Sequence, residues 1–139
     1  MPPTQALAPY YAQKLDWKKC GNLECADLRV PLDHAAPDPS KDLTIKVARV
    51  KARDQAKRLG SLLVNPGGPG ASGIDYVRGG ADTIGGPDVR RYYDLVGFDP
   101  RGVGRSAPVN CLSDTALDRF LAAGPTPDDA GEEQALLTQ

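Results

Sequence analysis

Gly60-Ser61-Leu62-Leu63-Val64-Asn65-Pro66-Gly67-Gly68-Pro69-Gly70-Ala71-Ser72-Gly73 is a short apolar run that stops in a glycine-rich turn. About twenty residues later, Asp94-Leu95-Val96-Gly97-Phe98-Asp99-Pro100-Arg101-Gly102-Val103-Gly104-Arg105-Ser106 repeats the arrangement. Apolar runs of this length, bounded by turn signals, suit strands buried on both faces of a sheet. The residues between them suffice for a crossover helix, so the pair reads as a β-loop-α-β unit with parallel strands. Ligands of such sheets sit outside the carboxyl ends of the strands, where both glycine turns fall.

Working outward, Ala26 to Leu32 alternates, with Leu28, Val30 and Leu32 on one face, and reads as a strand that Pro31 confines to an edge. Leu43 to Arg53 reads as a longer strand forming an antiparallel hairpin with the first; a change of phase between Val47 and Ala48 predicts a bulge or strong twist. Leu62 to Asn65 and Asp94 to Phe98 are the central strands. Ser72 to Ile84 is a helix weakened by Gly79 and Gly80, and Pro87 to Tyr93 a second helical turn. Ser113 caps a helix from Asp114 to Ala123 with Leu117, Phe120 and Leu121 on one stripe and Gly124 at its end. Thr126-Pro127-Asp128-Asp129 opens another. Residues 1–15, with Pro2, Pro3 and Pro9, read as an extended arm, and residues 16–139 as the amino-terminal part of one α/β domain.

The 139 residues, 40% apolar and 25% charged, fit one globular domain with its own core. A net charge of -1 gives no basic patch for nucleic acid and no polybasic membrane signal. No apolar run reaches the ~18–20 residues of a membrane helix. The first residues carry no signal peptide, as expected of a cytosolic protein or of a mature secreted one. The spacing of Cys20 and Cys25 around Gly21-Asn22 suits a small disulfide loop, with two free thiols as the alternative, and Trp17 is expected to pack nearby. Cys111 has no obvious partner. With His34 the sole histidine, neither a zinc site nor another metal or cofactor is expected.

At Asn65 to Gly73, glycines let backbone N–H groups face a ligand, either as an oxyanion hole or as a phosphate cradle. No Gly-Lys-Ser/Thr follows, which speaks against a nucleotide P-loop. Gly102-Val103-Gly104-Arg105-Ser106-Ala107 matches a dinucleotide fingerprint only loosely, because Asp99-Pro100-Arg101 intervenes and Pro108 interrupts. A sharp loop, with Asp99 and Arg101 pairing or hydrogen-bonding locally, fits better.

Together, Asn65 to Gly73 and Gly97 to Ser106 resemble the α/β-hydrolase family of proline iminopeptidases, and most closely its secreted actinobacterial branch, the tripeptidyl aminopeptidases. Cys20 to Cys25 running into Val30-Pro31-Leu32-Asp33 resembles the amino-terminal segment of that branch, and the likeness covers about residues 15–125. It implies that this chain is the amino-terminal portion of an α/β-hydrolase sheet, its first four strands and flanking helices. It also implies that Pro66-Gly67-Gly68-Pro69 is the oxyanion loop, with Gly68 (beside Gly67) as donor, braced by Asp99 and Arg101. Cys111 would then pair with a downstream cysteine.

The nucleophile is missing from this chain. Ser72 has Ile74 where a G-x-S-x-G elbow needs its last glycine, and Ser106 is followed by Ala107-Pro108. His34 precedes both serines in a proline-rich turn and reads as a surface residue. The expectation is a serine aminopeptidase segment, inactive alone, completed by a complementary carboxy-terminal chain and acting on peptides. A carboxylester hydrolase segment, a non-catalytic binding module and a nucleotide-binding βαβ domain are the alternatives.

Overall fold

The structure, a computed structural model, describes residues 4–122 and 126–137. The chain divides into two compact units, Met1–Pro108 and Val109–Gln139.

In the first unit, strands β1 (Lys18–Cys20), β2 (Leu23–Val30), β3 (Leu43–Val50), β4 (Gly60–Leu63) and β5 (Tyr93–Phe98) form a sheet in the order β1-β2-β3-β5-β4. The first three are antiparallel, β5 is antiparallel to β3, and β4 lies parallel to β5. The predicted parallel pair is therefore present, reached through two helices, α2 (Gly73–Gly80) and α3 (Gly86–Tyr92). Pro87 opens α3, and its missing N–H costs nothing in the first turn. Ser72 caps α2 by accepting the Asp75 N–H at 3.0 Å, and the helix ends at the glycine pair that weakened it in the sequence.

The core forms where α2 meets the sheet. Ile74 and Val77 are buried with Leu95, Ala48, Val64 and Leu23. Burial of this kind contributes roughly 1.5–3 kcal/mol per large aliphatic side chain.

Several expectations change. The hairpin of β2 and β3 keeps one register from Glu24↔Arg49 to Val30↔Leu43, with no bulge. Val47 and Ala48 are both buried because both faces of the strand are covered there, so the apparent phase change records burial, not geometry. A strand missed in the sequence, β1, pairs with the amino-terminal end of β2, so β2 is not an edge throughout. Beyond that pairing Gln13 takes over: its side-chain amide accepts the Arg29 N–H at 3.0 Å and donates to the Arg29 carbonyl at 2.8 Å. Nor is the arm extended throughout its described residues; Pro2 and Pro3 lie outside them. A 3-10 turn, Gln5–Leu7, runs into α1 (Ala8–Ala12), where Pro9 falls in the tolerant first turn. Tyr10 anchors it by donating to Asp42 at 2.6 Å. Finally, β4 is an edge, not a central strand, among the described residues; Leu62 and Leu63 are 38% and 63% exposed.

The second unit holds α4 (Asp114–Ala122) and α5 (Ala130–Leu137). Ser113 Oγ accepts the Ala116 N–H as the sequence predicts, and the expected stop at Gly124 lies outside the described residues. Leu117, Phe120 and Leu121 are exposed, so their stripe is not core. The cap of α5 is Asp129, not Thr126: its carboxylate accepts from Gly131 and Glu132, and an aspartate next to the first turn competes well with a threonine further back.

Candidate functional site

The carboxyl ends of β4 and β5 lie side by side, and each passes into one of the glycine turns. After β4, Asn65 Oδ1 accepts the Gly67 N–H at 3.0 Å, an Asx turn that sets the chain direction. Gly67 and Gly68 take φ of 82° and 134°, values that side-chain-bearing residues avoid. Both glycines are exposed. With the Gly67 N–H held by Asn65, the Gly68 N–H makes no hydrogen bond among the described residues. Of the two predicted donors, only Gly68 is free for a ligand.

The turn after β5 is built around Asp99, which is completely buried. One carboxylate oxygen accepts from Ser72 Oγ at 2.5 Å and the Ile74 N–H at 3.3 Å. The other accepts the Arg105 N–H at 2.9 Å and lies 3.5 Å from the Arg105 guanidinium. Burial pushes the Asp99 carboxyl up, but the bonds from Ser72, Arg105 and Ile74 and the Arg105 charge hold it below the ordinary aspartate value of 3.8. Gly104 is required here, since a Cβ would overlap the Asp99 carboxylate.

Arg101 does not pair with Asp99. It donates to the Leu32 carbonyl at 2.8 Å, tying the turn to the loop after β2, while Arg105 takes the expected place beside Asp99. Sequence spacing favoured Arg101 because it lies two residues from Asp99, but the tight turn from Gly102 to Ser106 folds Arg105 back over the carboxylate.

This arrangement argues against the two phosphate readings. The N-terminus of α2 is occupied by the protein's own groups, Ile74 by Asp99 and Asp75 by Ser72, and a buried carboxylate there repels phosphate. The Gly102–Ser106 turn opens no helix, so the dinucleotide reading has no helix end to hold a pyrophosphate. Ser106 is fully buried and its Oγ accepts the Lys46 N–H at 2.8 Å. Ser72 is engaged by Asp99 and by the helix cap. His34 is exposed, as the sequence suggests.

Cys20 and Cys25 form the disulfide, closing the β1–β2 turn. The Arg49 guanidinium stacks over Trp17 at 4.2 Å beside β1. Cys111 is a free, exposed thiol in the second unit. No helix among the described residues is long and apolar enough to cross a membrane.

No protein-family model matches the chain. It is 39% identical over 124 residues to Carboxylesterase B of Mycobacterium tuberculosis (strain ATCC 25618 / H37Rv), covering 81% of this chain and 23% of that protein. It is 33% identical over 130 residues to the tripeptidyl aminopeptidase of Streptomyces coelicolor, covering 87% of this chain and 24% of the other. To the serine protease Hip1 of the same Mycobacterium tuberculosis strain it is 38% identical over 136 residues, covering 89% and 25%. The chain thus spans about a quarter of the length of these relatives. By sequence, the chain is a relative of hydrolases, whose members carry the names of a carboxylesterase, a tripeptidyl aminopeptidase and a serine protease.

Proposed function

We propose that this chain is the amino-terminal segment of a secreted serine hydrolase, an aminopeptidase that releases short peptides from free amino termini. Its contribution to acyl transfer is the Gly68 N–H, which would donate to the oxyanion of the tetrahedral intermediate. The observation that carries this reading is the division of labour in the turn: Asn65 holds the Gly67 N–H, leaving the Gly68 N–H unpaired at the carboxyl end of a parallel strand. A donor fixed in advance, and aimed at developing charge, costs no reorganisation during reaction. The nucleophilic serine, the acid and the histidine would come from a complementary carboxy-terminal chain, as would the cysteine that pairs with Cys111. A disulfide between Cys20 and Cys25 agrees with an oxidising, extracellular setting.

A second reading has a specific support, since a relative at 39% identity is named a carboxylesterase. The same oxyanion chemistry serves esters and amides.

The test is the intact mass of everything that co-purifies with the chain, reduced and non-reduced, followed by assay on a tripeptide p-nitroanilide and a p-nitrophenyl ester. A larger second polypeptide and release of p-nitroaniline support the aminopeptidase. Ester cleavage alone favours the carboxylesterase. A single inert species at the mass of residues 1–139 overturns both, and the non-catalytic binding module then leads.

A further inference from the structure

We infer that Asp99 is a positioning residue for the Gly67–Gly68 turn, acting through Ser72 to set where the Gly68 N–H points. The inference rests on the hydrolase reading above and deepens it. Gly68 is packed onto the chain just before Ser72: a Cβ on Gly68 would lie 2.8 Å from the Gly70 nitrogen and 3.0 Å from that of Ala71. The turn itself is exposed, and its Asn65–Gly67 bond is local. Among the described residues, the Ser72–Asp99 bond is the one hydrogen bond that joins residues 66–72 to the turn beyond β5.

Asp99 is suited to anchor that bond. It is completely buried, and its own N–H donates to the Lys46 carbonyl of β3 at 3.1 Å. Both carboxylate oxygens are used, one toward Ser72 and Ile74 and the other toward Arg105. Arg105 also reaches Asp75 in the first turn of α2, at 3.3 Å, so the start of that helix is held from two sides. The carboxylate thus couples the two glycine turns into one rigid element. An anchor of this kind acts on the transition state, because the oxyanion bond forms only there. Loosening it should lower kcat and leave KM nearly unchanged.

The experiment uses the complete hydrolase containing this chain, assayed on the same p-nitroanilide and p-nitrophenyl ester, with thermal melting and near-ultraviolet circular dichroism to verify folding. Ser72→Ala removes the tie, Ser72→Thr keeps its hydroxyl, and Asp99→Asn tests the anchor itself. The expected result is a kcat about 10-fold or more lower for Ser72→Ala, with KM within about twofold, and near-normal kcat for Ser72→Thr. An active enzyme whose folded Ser72→Ala variant keeps its kcat, or loses activity through KM alone, overturns the inference and leaves the hydrolase reading intact. If Asp99→Asn does not fold, the two Ser72 variants still decide the matter. An unmodified enzyme that cleaves neither substrate overturns the hydrolase reading, and this inference with it.

Discussion

The Gly73 carbonyl oxygen occupies the space that a side chain on Gly97 would need: a Cβ there would overlap that oxygen and stand 2.8 Å from Val77 Cγ2. A Cβ on Gly73 would in turn overlap the backbone of Phe98. Helix α2 therefore rests on β5 backbone to backbone, which brings Ser72 within reach of Asp99. Gly97→Ala is expected to destabilise the fold by about 1–3 kcal/mol or more through overpacking. Gly79, in the same helix, has nothing within 4 Å of an added Cβ, so Gly79→Ala is expected to stabilise by about 0.5–1 kcal/mol. Equilibrium urea unfolding separates the two; equal responses would contradict the close approach.

Much of this was legible in the sequence. Glycine turns after two apolar runs placed β4, β5 and the crossover, because an apolar run closed by a glycine turn leaves a local mark whether or not its strand is buried. The Ser113 cap could be read for the same reason, whereas the helix expected from Ser72 to Ile84 already stops at Gly80. The misses were non-local. Nothing near Arg105 announces that it, not Arg101, covers Asp99, since the choice depends on how the turn folds. Likewise β1 is three residues long, too short for a periodic signal, and exists because the Cys20–Cys25 turn folds it onto β2. Gly68 as donor is implied by resemblance; what the sequence could not show is the Asn65–Gly67 bond, which leaves the Gly68 N–H unpaired among the described residues.

A second buried carboxylate, Asp94, is the second residue of β5 and accepts from Ala52 N–H at 2.8 Å, Arg58 Nε at 2.8 Å and Gln55 Nε2 at 3.2 Å. Burial pushes its carboxyl up, but these donors and the Arg58 charge hold it below the ordinary 3.8. Such a group stabilises the fold above its unfolded value, and that contribution is lost as pH falls through the lower folded value. Stability should therefore decline below about pH 5, and the Asp94→Asn variant should be less stable at neutral pH with a shallower acid slope. Urea midpoints measured from neutral to acid pH check this. Parallel slopes for the two proteins would remove Asp94 from the acid response.

The Cys20–Cys25 bridge spans a sequence separation of 5 and fixes the turn that presents β1 to β2. On the loop-entropy account, replacing both cysteines with serine should cost about 2 kcal/mol. A thermal melt with and without reductant should show the same loss for the unmodified protein and no effect of reductant on the double variant. Reductant-sensitive melting of the double variant would point to another bridge.

Strand β4 pairs with β5 on one side, and its other side is open among the described residues, next to exposed Leu59, Leu62 and Leu63. Unpaired edges of this kind template association. The isolated chain should self-associate with rising concentration, and Leu63→Lys should reduce that association several-fold. Sedimentation velocity decides it. A monomeric isolated chain, or a lysine variant that associates as strongly, would mean that the edge is not the route.

The proposed oxyanion donor is tested most directly at Gly68. Its φ of 134° and the 2.8 Å approach to the Gly70 nitrogen mean that even a methyl group must rearrange the turn. Because the turn is exposed and outside the buried core, that rearrangement should cost little global stability. Yet it should carry the N–H away from the oxyanion. Loss of one such donor lowers kcat by about 10²–10³, so Gly68→Ala in the complete hydrolase should fall in or near that range while its melting temperature changes little. Val64, buried just past the end of β4, gives the contrast: Val64→Ala should lower the melting temperature and spare kcat in the folded fraction. If Gly68→Ala turned over substrate at the unmodified rate, the oxyanion would have to be held by other donors, and the turn would be structural only.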